Sequence, residues 1–231
     1  MKGIFKKLWL VRKGMFTNFL GTHFSQFGED IILDELLKPE KDDGFYVDVG
    51  CYHPRKFSNT YMLYRRGWHG INIDMEEDKI RLFEFLRPRD TNILSAVSDK
   101  EETVTLYRYS KYSLESTIDE KIAARAVHDE YDRKIVKTKT LTQILYNSPY
   151  REKQIDLLTI DVEGFDFRVL KSINFDVYMP KIIVIEDHHK NIIEILETAT
   201  YLFLQSKGYV LRSWTFYSLI FVLPGSDIIR N

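Results

Sequence analysis

Acidic side chains and one glycine follow four short apolar segments of this chain. They are Asp48 and Gly50 in VDVG, Asp74 in INID, Asp161 and Glu163 in LLTIDVEG, and Glu186 in IIVIED. In an open parallel sheet, ligands bind outside the carboxyl ends of the strands. A single acid at a strand end means little, but four such ends on one predicted edge indicate a ligand site.

The loop after the first segment suits some cofactors and not others. Gly50 allows a sharp turn and the close approach of a ligand. Dinucleotide binding uses a G-x-G-x-x-G pattern, and here Tyr52 and Arg55 occupy its second and third glycine positions. A tyrosine there obstructs a pyrophosphate, whereas S-adenosylmethionine, which has no pyrophosphate, makes no such demand.

The spacing of the acids fits this cofactor. Asp48 can interact with its cationic end, and Asp74 can accept hydrogen bonds from its ribose hydroxyls. Asp74 lies 24 residues after Gly50, close to the roughly 20 residues expected of one helical crossover. Gly50 alone is explained equally well as a turn glycine, and Asp74 alone as a helix N-cap. The two residues together, at this spacing, favour a cofactor site. The predicted cofactor contacts are Asp48, Gly50, Cys51, Tyr52, Asn59, Asp74, Met75, Ser98 and Asp161.

Asp161 and Glu163 form a second acidic group at another strand end. Carboxylates in this position can bind the substrate, hold a divalent metal or act as a general base. Asp161 can also cap the helix that follows, and the spacing alone leaves these roles open.

The elements that must position these residues alternate between apolar strands and helices, which is typical of a mostly parallel sheet covered on both faces. The predicted strands are 44–50, 70–74, 92–99, 103–109, 136–141, 156–161, 181–187, 208–214 and 217–223. The predicted helices include 25–38, 78–87, 116–134, 163–173 and 191–206.

Composition limits the function classes. The 231 residues suit one α/β domain, and the formal net charge of -1 gives no bias toward nucleic acid. Cys51 is the one cysteine, which excludes an intramolecular disulfide and makes the cytoplasm the expected compartment. No segment reaches the roughly 18 apolar residues of a membrane span.

Residues 1–24 are predicted to be a helical segment ahead of a domain at 25–231. The stretch MKGIFKKLWLVRKGMF is basic and apolar, and its charges interrupt the apolar run too closely for a signal peptide. In one interpretation it packs on the domain or on a partner subunit, as in a homo-oligomer. In the other, residues 1–20 lie on an anionic membrane surface, at the inner face of the membrane.

The ordered set of motifs resembles the FkbM family of methyltransferases. The matching segments are SQFGED (25–30), GFYVDVGCYHP (44–54), FSNT (57–60), RGWHGINID (66–74), AVSD (96–99), LLTIDVEGFDFRVL (157–170) and IIVIEDH (182–188). The resemblance implies a Rossmann-like methyltransferase fold with a mostly parallel seven-stranded sheet, and S-adenosylmethionine as methyl donor. It also implies O-methylation, often of sugar hydroxyls in polysaccharides, glycolipids or natural products.

The expected reaction is in-line methyl transfer to a sugar hydroxyl, for which the protein aligns the reacting atoms and excludes water. A hydroxyl is a weak nucleophile, so a base or a metal helps. The catalytic candidates are Asp161, Glu163, His53 and His188. Asp161 and Glu186 are also candidate ligands for magnesium or manganese, which favour oxygen. Ser58, Asn59 and Ser116 are candidate acceptor contacts.

Two other functions compete with this one. Tyr107 and Lys111 form a Y-x-x-x-K pair, as in nicotinamide-dependent short-chain dehydrogenases. On a strand, however, residues four apart are about 13 Å apart, too far for that pairing. The other function is a non-enzymatic module that binds a membrane or a partner through the basic N-terminal segment.

Overall fold

The fold is described here from a computed structural model, which covers residues 23–38, 42–108, 132–189 and 191–229. The strands are β1 (Phe45–Val49), β2 (His69–Asp74), β3 (Thr91–Leu94), β4 (Ala96–Val97), β5 (Thr103–Arg108), β6 (Asp132–Lys139), β7 (Leu157–Ile160), β8 (Ile182–Glu186), β9 (Val210–Thr215) and β10 (Ser218–Val222). The helices are α1 (Glu29–Leu36), α2 (Tyr61–Arg65), α3 (Glu77–Leu86), α4 (Leu141–Tyr146), α5 (Asp166–Lys171), α6 (Ile192–Leu196) and α7 (Ala199–Ser206).

Seven strands form one twisted layer in the order β3-β2-β1-β7-β8-β10-β9. Neighbouring strands are parallel from β3 to β8, and β10 runs antiparallel to both β8 and β9. In the centre, Val47 of β1 pairs with Ile71 on one side and Leu158 on the other. The prediction of a mostly parallel seven-stranded sheet is confirmed.

Alternate residues of each central strand serve two separate hydrophobic layers, as the pleat requires. Val47 and Val49 pack with residues of α4, α5, α6 and α7. Tyr46, which lies between Phe45 and Val47, packs with Leu33 of α1 and Leu63 of α2. Helices therefore cover both faces, which explains why the central strands are apolar throughout.

The predicted strand 92–99 is two strands in the structure. β3 ends at Leu94 in the large sheet, and β4 joins a separate three-stranded sheet in the order β4-β6-β5. At the break, Ser95 donates its backbone N–H to the carbonyl of Asp74, at 2.9 Å. The chain thus leaves the sheet edge beside the end of β2, and it brings residues 95–97 to the site described below.

Four predicted helices also differ from the structure. The helix predicted over 25–38 begins only at Glu29, because residues 25–28 form a loop in which Gly28 has a φ of 88°. The helix predicted over 163–173 begins only at Asp166, because Glu163 and Gly164 have φ angles of 52° and 99°, outside the helical region. The helix predicted over 191–206 divides at Thr198, whose side chain caps α7 by accepting from the backbone of Tyr201. Residues 132–134, predicted to end a helix, belong to β6.

Several predictions fall on residues outside the described part of the chain. They concern the segment 1–22, the body of the predicted helix 116–134, Lys111 and Ser116. Among the helices of the described residues, none combines the length and the apolar character needed to cross a membrane.

Candidate active site

The carboxyl ends of β1, β2, β7 and β8 border one cavity with a volume of about 250 Å³. Its wall is completed by residues 95–97, which follow β3 and include β4, and by the hairpin between β9 and β10. Most residues predicted to act there line it: Asp48, Gly50, Cys51, Tyr52, His53, Ser58, Asn59, Asp74, Met75, Asp161, Glu163, Glu186 and His188.

Gly50 is required by two features of this edge. Its φ of 83° is left-handed, a conformation that favours glycine. A Cβ at this position would also lie 1.6 Å from the carbonyl oxygen of Asp161. Gly50 is therefore needed for the turn, as the sequence predicted, and also because the ends of β1 and β7 lie too close together for a side chain.

Asp48 belongs to a buried network that the sequence did not reveal. Thr60 Oγ1 donates to Asp48 Oδ2 at 2.7 Å, and the fully buried Arg87 donates to Thr60 Oγ1 and Ser58 Oγ, each at 2.7 Å. Burial raises the pKa of Asp48 to about 6, which the Thr60 hydrogen bond and Arg87 oppose. Arg87 thus fixes the FSNT loop against the end of β1.

Asp74 is held in the same way at the end of β2. Its Oδ1 accepts from the backbone N–H of Glu76 at 2.8 Å, and Lys79 Nζ lies 3.6 Å from its Oδ2. The same ammonium lies 2.9 Å from Glu76 Oε1. Burial raises the pKa of Asp74 to about 6, and Lys79 opposes the shift. Lys79 lines the cavity and was missed, because an exposed helix lysine has the same sequence signature.

The other predicted cofactor contacts divide into two groups. Cys51 lines the cavity but is otherwise buried, and burial raises the pKa of its thiol well above its usual value. Asn59 donates to Thr159 Oγ1 on β7 at 3.1 Å. Ser98, by contrast, is fully buried, does not line the cavity and approaches Asp99 Oδ1 with its hydroxyl at 3.3 Å. Residues 95–97 occupy the wall where Ser98 was expected.

Three carboxyl groups meet at the ends of β7 and β8. One oxygen from each of Asp161, Asp166 and Glu186 lies within 4.8 Å of the others. Desolvation and then repulsion from Asp166 raise the pKa of Asp161, although this residue is exposed to the cavity. Desolvation and then repulsion from Asp161 raise the pKa of Glu186, and the two carboxyl groups also share a hydrogen bond. Like charges so close to one another cannot all ionise readily.

Asp166 was not among the predicted site residues, and both of its carboxyl oxygens accept hydrogen bonds from the backbone. They accept the N–H groups of Val162 and Gly164, at 2.8 and 3.0 Å. Burial raises its pKa to about 7, against these hydrogen bonds. This carboxyl shapes the turn that carries Glu163, whose left-handed φ places it in the cavity wall.

The two candidate histidines differ in what their ring nitrogens contact. His188 Nε2 lies 2.9 Å from Glu186 Oε1, and the ring stacks on Tyr217 with centroids 4.1 Å apart. His53 Nδ1 accepts from the backbone N–H groups of Arg55 and Lys56, each at 3.0 Å. Burial lowers the pKa of both rings. The Nδ1 lone pair of His53 is therefore already used, whereas the ring of His188 contacts a carboxyl group of the cavity.

The match to known families follows this geometry. A family model described as the methyltransferase FkbM domain matches residues 48–211, more than half of the chain. The chain belongs to the FkbM family of methyltransferases. The matched range begins at Asp48 and includes Asp74, Asp161 and Glu186, so the resemblance seen in the sequence is confirmed. The sheet described above is the Rossmann-like sheet expected of it.

Other comparisons add little. None of the curated proteins matches the chain. Seven chains of solved structures match. One is a protein from Clostridium thermocellum described as an rRNA methylase, with 9% sequence identity, 87% of this chain and 97% of that chain covered, and a TM-score of 0.43.

In this FkbM methyltransferase the cavity has two halves, which meet between the neighbouring strands β1 and β7. We call the residues at the ends of β1 and β2, with 95–97, the β1–β2 half; those at the ends of β7 and β8 form the β7–β8 half. Asp48 and Asp74 belong to the first, and Asp161, Glu186 and His188 to the second. Tyr107, the other member of the dehydrogenase-like pair, lies on β5 opposite Arg133 and does not line the cavity.

Proposed function

We propose that the chain is an S-adenosylmethionine-dependent O-methyltransferase that methylates a sugar hydroxyl by in-line transfer. The sugar would be carried on a nucleotide, a lipid or a polysaccharide. The observation that carries the proposal is the division of one cavity into two acidic halves. One half has carboxylates fixed by hydrogen bonds, and in the other three carboxyl groups lie within 4.8 Å of one another. Methyltransferases of this family generally use S-adenosylmethionine, and the two halves suit donor and acceptor respectively.

The β1–β2 half fits the methyl donor. Asp74 offers a buried carboxylate to ribose hydroxyls, and Asp48 offers one to the cationic amino-acid end. Met75, Ala96 and Val97 line the same half and supply apolar contact for an adenine ring. Tyr52, which also lines it, leaves no room for a pyrophosphate against the backbone and so disfavours a dinucleotide.

The β7–β8 half fits removal of a proton from a hydroxyl. When bound, S-adenosylmethionine supplies a methyl group already made electrophilic by its sulfonium. The chain itself must hold the acceptor oxygen in line and take up the hydroxyl proton. Asp161 is our candidate base, because its raised pKa makes the carboxylate a stronger proton acceptor near neutral pH.

Glu186 and His188 support this assignment. A hydrogen bond between the carboxyl groups of Asp161 and Glu186 requires one proton, so the pair holds one proton and its other oxygens can accept the proton of the acceptor hydroxyl. His188 is neutral near pH 7, since burial lowers its pKa, and its Nε2–H can donate to Glu186. Glu163 and His53 border the same space and remain catalytic candidates.

A divalent metal is the alternative use of the same carboxylates. Asp161, Asp166 and Glu186 offer the oxygen ligands that magnesium and manganese prefer. Asp166 already accepts two backbone N–H groups, and a metal would have to displace the proton shared by the other two. Activity that is lost in EDTA and restored by Mg²⁺ would assign the metal, and unchanged activity would assign the proton-sharing pair.

Calorimetric titration tests the function directly. The full chain is titrated with S-adenosylmethionine, S-adenosylhomocysteine and NAD, and then supplied with nucleotide-linked sugars and assayed for methylated products by mass spectrometry. We expect binding of the first two ligands and a mass gain of one methyl group on a sugar. Heat with NAD and none with S-adenosylhomocysteine would instead support the dehydrogenase alternative.

A further inference from the structure

The SQFGED motif builds a rigid loop at the mouth of the cavity. Asp30 is fully buried, and it accepts from Ser25 Oγ and from the backbone N–H of Phe24, each at 2.6 Å. Ser25 Oγ in turn accepts from the N–H of Gly28 at 3.1 Å. Gln26, at the exposed tip of this loop, lines the cavity.

Glu29 joins this loop to the hairpin between β9 and β10. The side chain is almost fully buried, and its Oε2 accepts from the backbone N–H of Phe27 at 2.9 Å. Its Oε1 accepts from Ser218 Oγ at 3.0 Å and from Thr215 Oγ1 at 3.3 Å. Two segments almost 190 residues apart in the chain are thereby held as one surface.

That surface is aromatic, and we call Phe27, Phe216, Tyr217 and His188 the aromatic wall. Phe27 stacks on Phe216 with centroids 4.9 Å apart and meets Tyr217 edge-on at 5.4 Å. Tyr217 stacks on His188, which contacts Glu186. Tyr217 and His188 line the cavity, and Phe27 and Phe216 pack behind Tyr217 outside the lining, so the wall reaches the β7–β8 half through its last two rings.

The hairpin holds its aromatic residues at some energetic cost. Phe216 has a φ of 50° and is 66% exposed, although left-handed backbone is unfavourable for a bulky residue. Trp214 Nε1 donates to the carbonyl oxygen of Phe216 at 2.6 Å. Exposed apolar groups and backbone strain that cluster beside a cavity are features of ligand-binding surfaces.

We propose that the aromatic wall and Gln26 form the acceptor subsite and hold the pyranose ring of the sugar acceptor. This inference rests on the proposed function and assigns its acceptor-positioning residues. The C–H face of a pyranose can pack on the ring of Tyr217, while its hydroxyls reach the Gln26 amide and the nearby carboxyl groups. A flat aromatic acceptor would use the wall but would leave most of these polar groups without a partner.

The experiment measures ligand contact by saturation-transfer NMR on the full chain with S-adenosylhomocysteine bound. The probes are the methyl glycosides of glucose, galactose and mannose, with catechol as the aromatic rival. Variants are Tyr217→Ala, Tyr217→Phe and Gln26→Ala. The control is Tyr146→Ala, an exposed tyrosine outside the cavity lining. S-adenosylhomocysteine affinity is measured for each protein by calorimetry.

We expect a glycoside to bind the wild type and its affinity to fall about tenfold in Tyr217→Ala, the order expected for loss of one well-packed aromatic contact. Tyr217→Phe and Tyr146→Ala should bind the glycoside as the wild type does. Gln26→Ala should lower the glycoside affinity less than Tyr217→Ala does. All variants should bind S-adenosylhomocysteine with an affinity within twofold of that of the wild type. Unchanged glycoside affinity in Tyr217→Ala, or binding of catechol alone, would overturn the subsite. A wild type that binds no S-adenosylhomocysteine would overturn the proposed function, and the subsite with it.

Discussion

The two halves of the cavity use carboxylates in opposite ways. In the β1–β2 half, Asp48 and Asp74 each have a fixed hydrogen-bond donor and a cation nearby, Arg87 and Lys79. In the β7–β8 half, Asp161 and Glu186 face each other and Asp166. The first arrangement suits charge held in place for binding, and the second suits a proton that moves.

A substitution of Gly50, which lies where the two halves meet, should have the largest effect on stability. Gly50→Ala should lower the free energy of unfolding by at least about 3 kcal/mol, because a Cβ there collides with the Asp161 backbone in addition to the left-handed strain. Urea denaturation measures this loss.

Gly208→Ala is the matched control for Gly50→Ala. Gly208 has a nearly equal φ of 87°, and nothing lies within 4 Å of an added Cβ, so only the backbone cost of about 1 kcal/mol remains. Equal losses in the two variants would show that β1 and β7 do not need the glycine for their close approach.

Asp161→Asn should separate binding from chemistry. Removing a general base lowers kcat by about 100-fold or more, while the β1–β2 half still binds S-adenosylhomocysteine. Methyl-transfer kinetics and calorimetry measure the two effects, with the exposed Asp176→Asn as control. Turnover at the wild-type rate would remove Asp161 from the catalytic residues.

Asp74→Asn should weaken binding of the methyl donor and leave the chemical step almost unchanged. We expect the KM for S-adenosylmethionine to rise about tenfold, with little change in kcat, because a charge-assisted hydrogen bond contributes about 1.5–3 kcal/mol. The control is Glu77→Gln, three residues further along and outside the cavity lining. A large fall in kcat at unchanged KM would mean that Asp74 is not a binding group.

The pH dependence of stability should show the smallest effect. The folded-state pKa is raised to about 6 for Asp48 and Asp74 and to about 7 for Asp166. A raised carboxyl pKa stabilises the fold below the unfolded pKa of about 4, and this contribution is lost as pH rises through the folded pKa. The free energy of unfolding of the ligand-free chain should therefore fall from about pH 4 to pH 7, by at least about 1 kcal/mol.

Urea denaturation at pH 5 and pH 7.5 measures that change, and Asp48→Asn should reduce it. Asp99 and Glu102 have pKa values lowered mainly by hydrogen bonds to Arg168 and Lys100. Their contribution is lost only as pH falls below the unfolded values near 4, outside this range. The lowered pKa values of His53, His69 and His188 make stability rise with pH within the range, so the difference between the wild type and Asp48→Asn isolates the contribution of the carboxyl group. Higher stability at pH 7.5 than at pH 5 would show that the buried carboxyl groups are compensated in the folded chain.

The local sequence was sufficient for the central strands and for the edge on which the acids gather. Apolar runs such as LLTI and IIVI form central strands because burial on both faces requires them to be apolar throughout. Parallel pairing then brings Asp48, Asp74 and Asp161 to one edge. These outcomes depend on residue type and order along short segments, which the sequence displays directly.

Only the tertiary structure decided which side chains are in contact and in which direction their pKa values shift. Asp161 and Glu186 come close only because β7 and β8 are neighbours, and Glu29 reaches Ser218 only after the whole sheet has formed. Arg87 has the sequence signature of an exposed helix-end residue, yet it is fully buried. Hydrogen bonds and pKa values depend on distances and burial that segments far apart in the chain create together, so no local pattern encodes them.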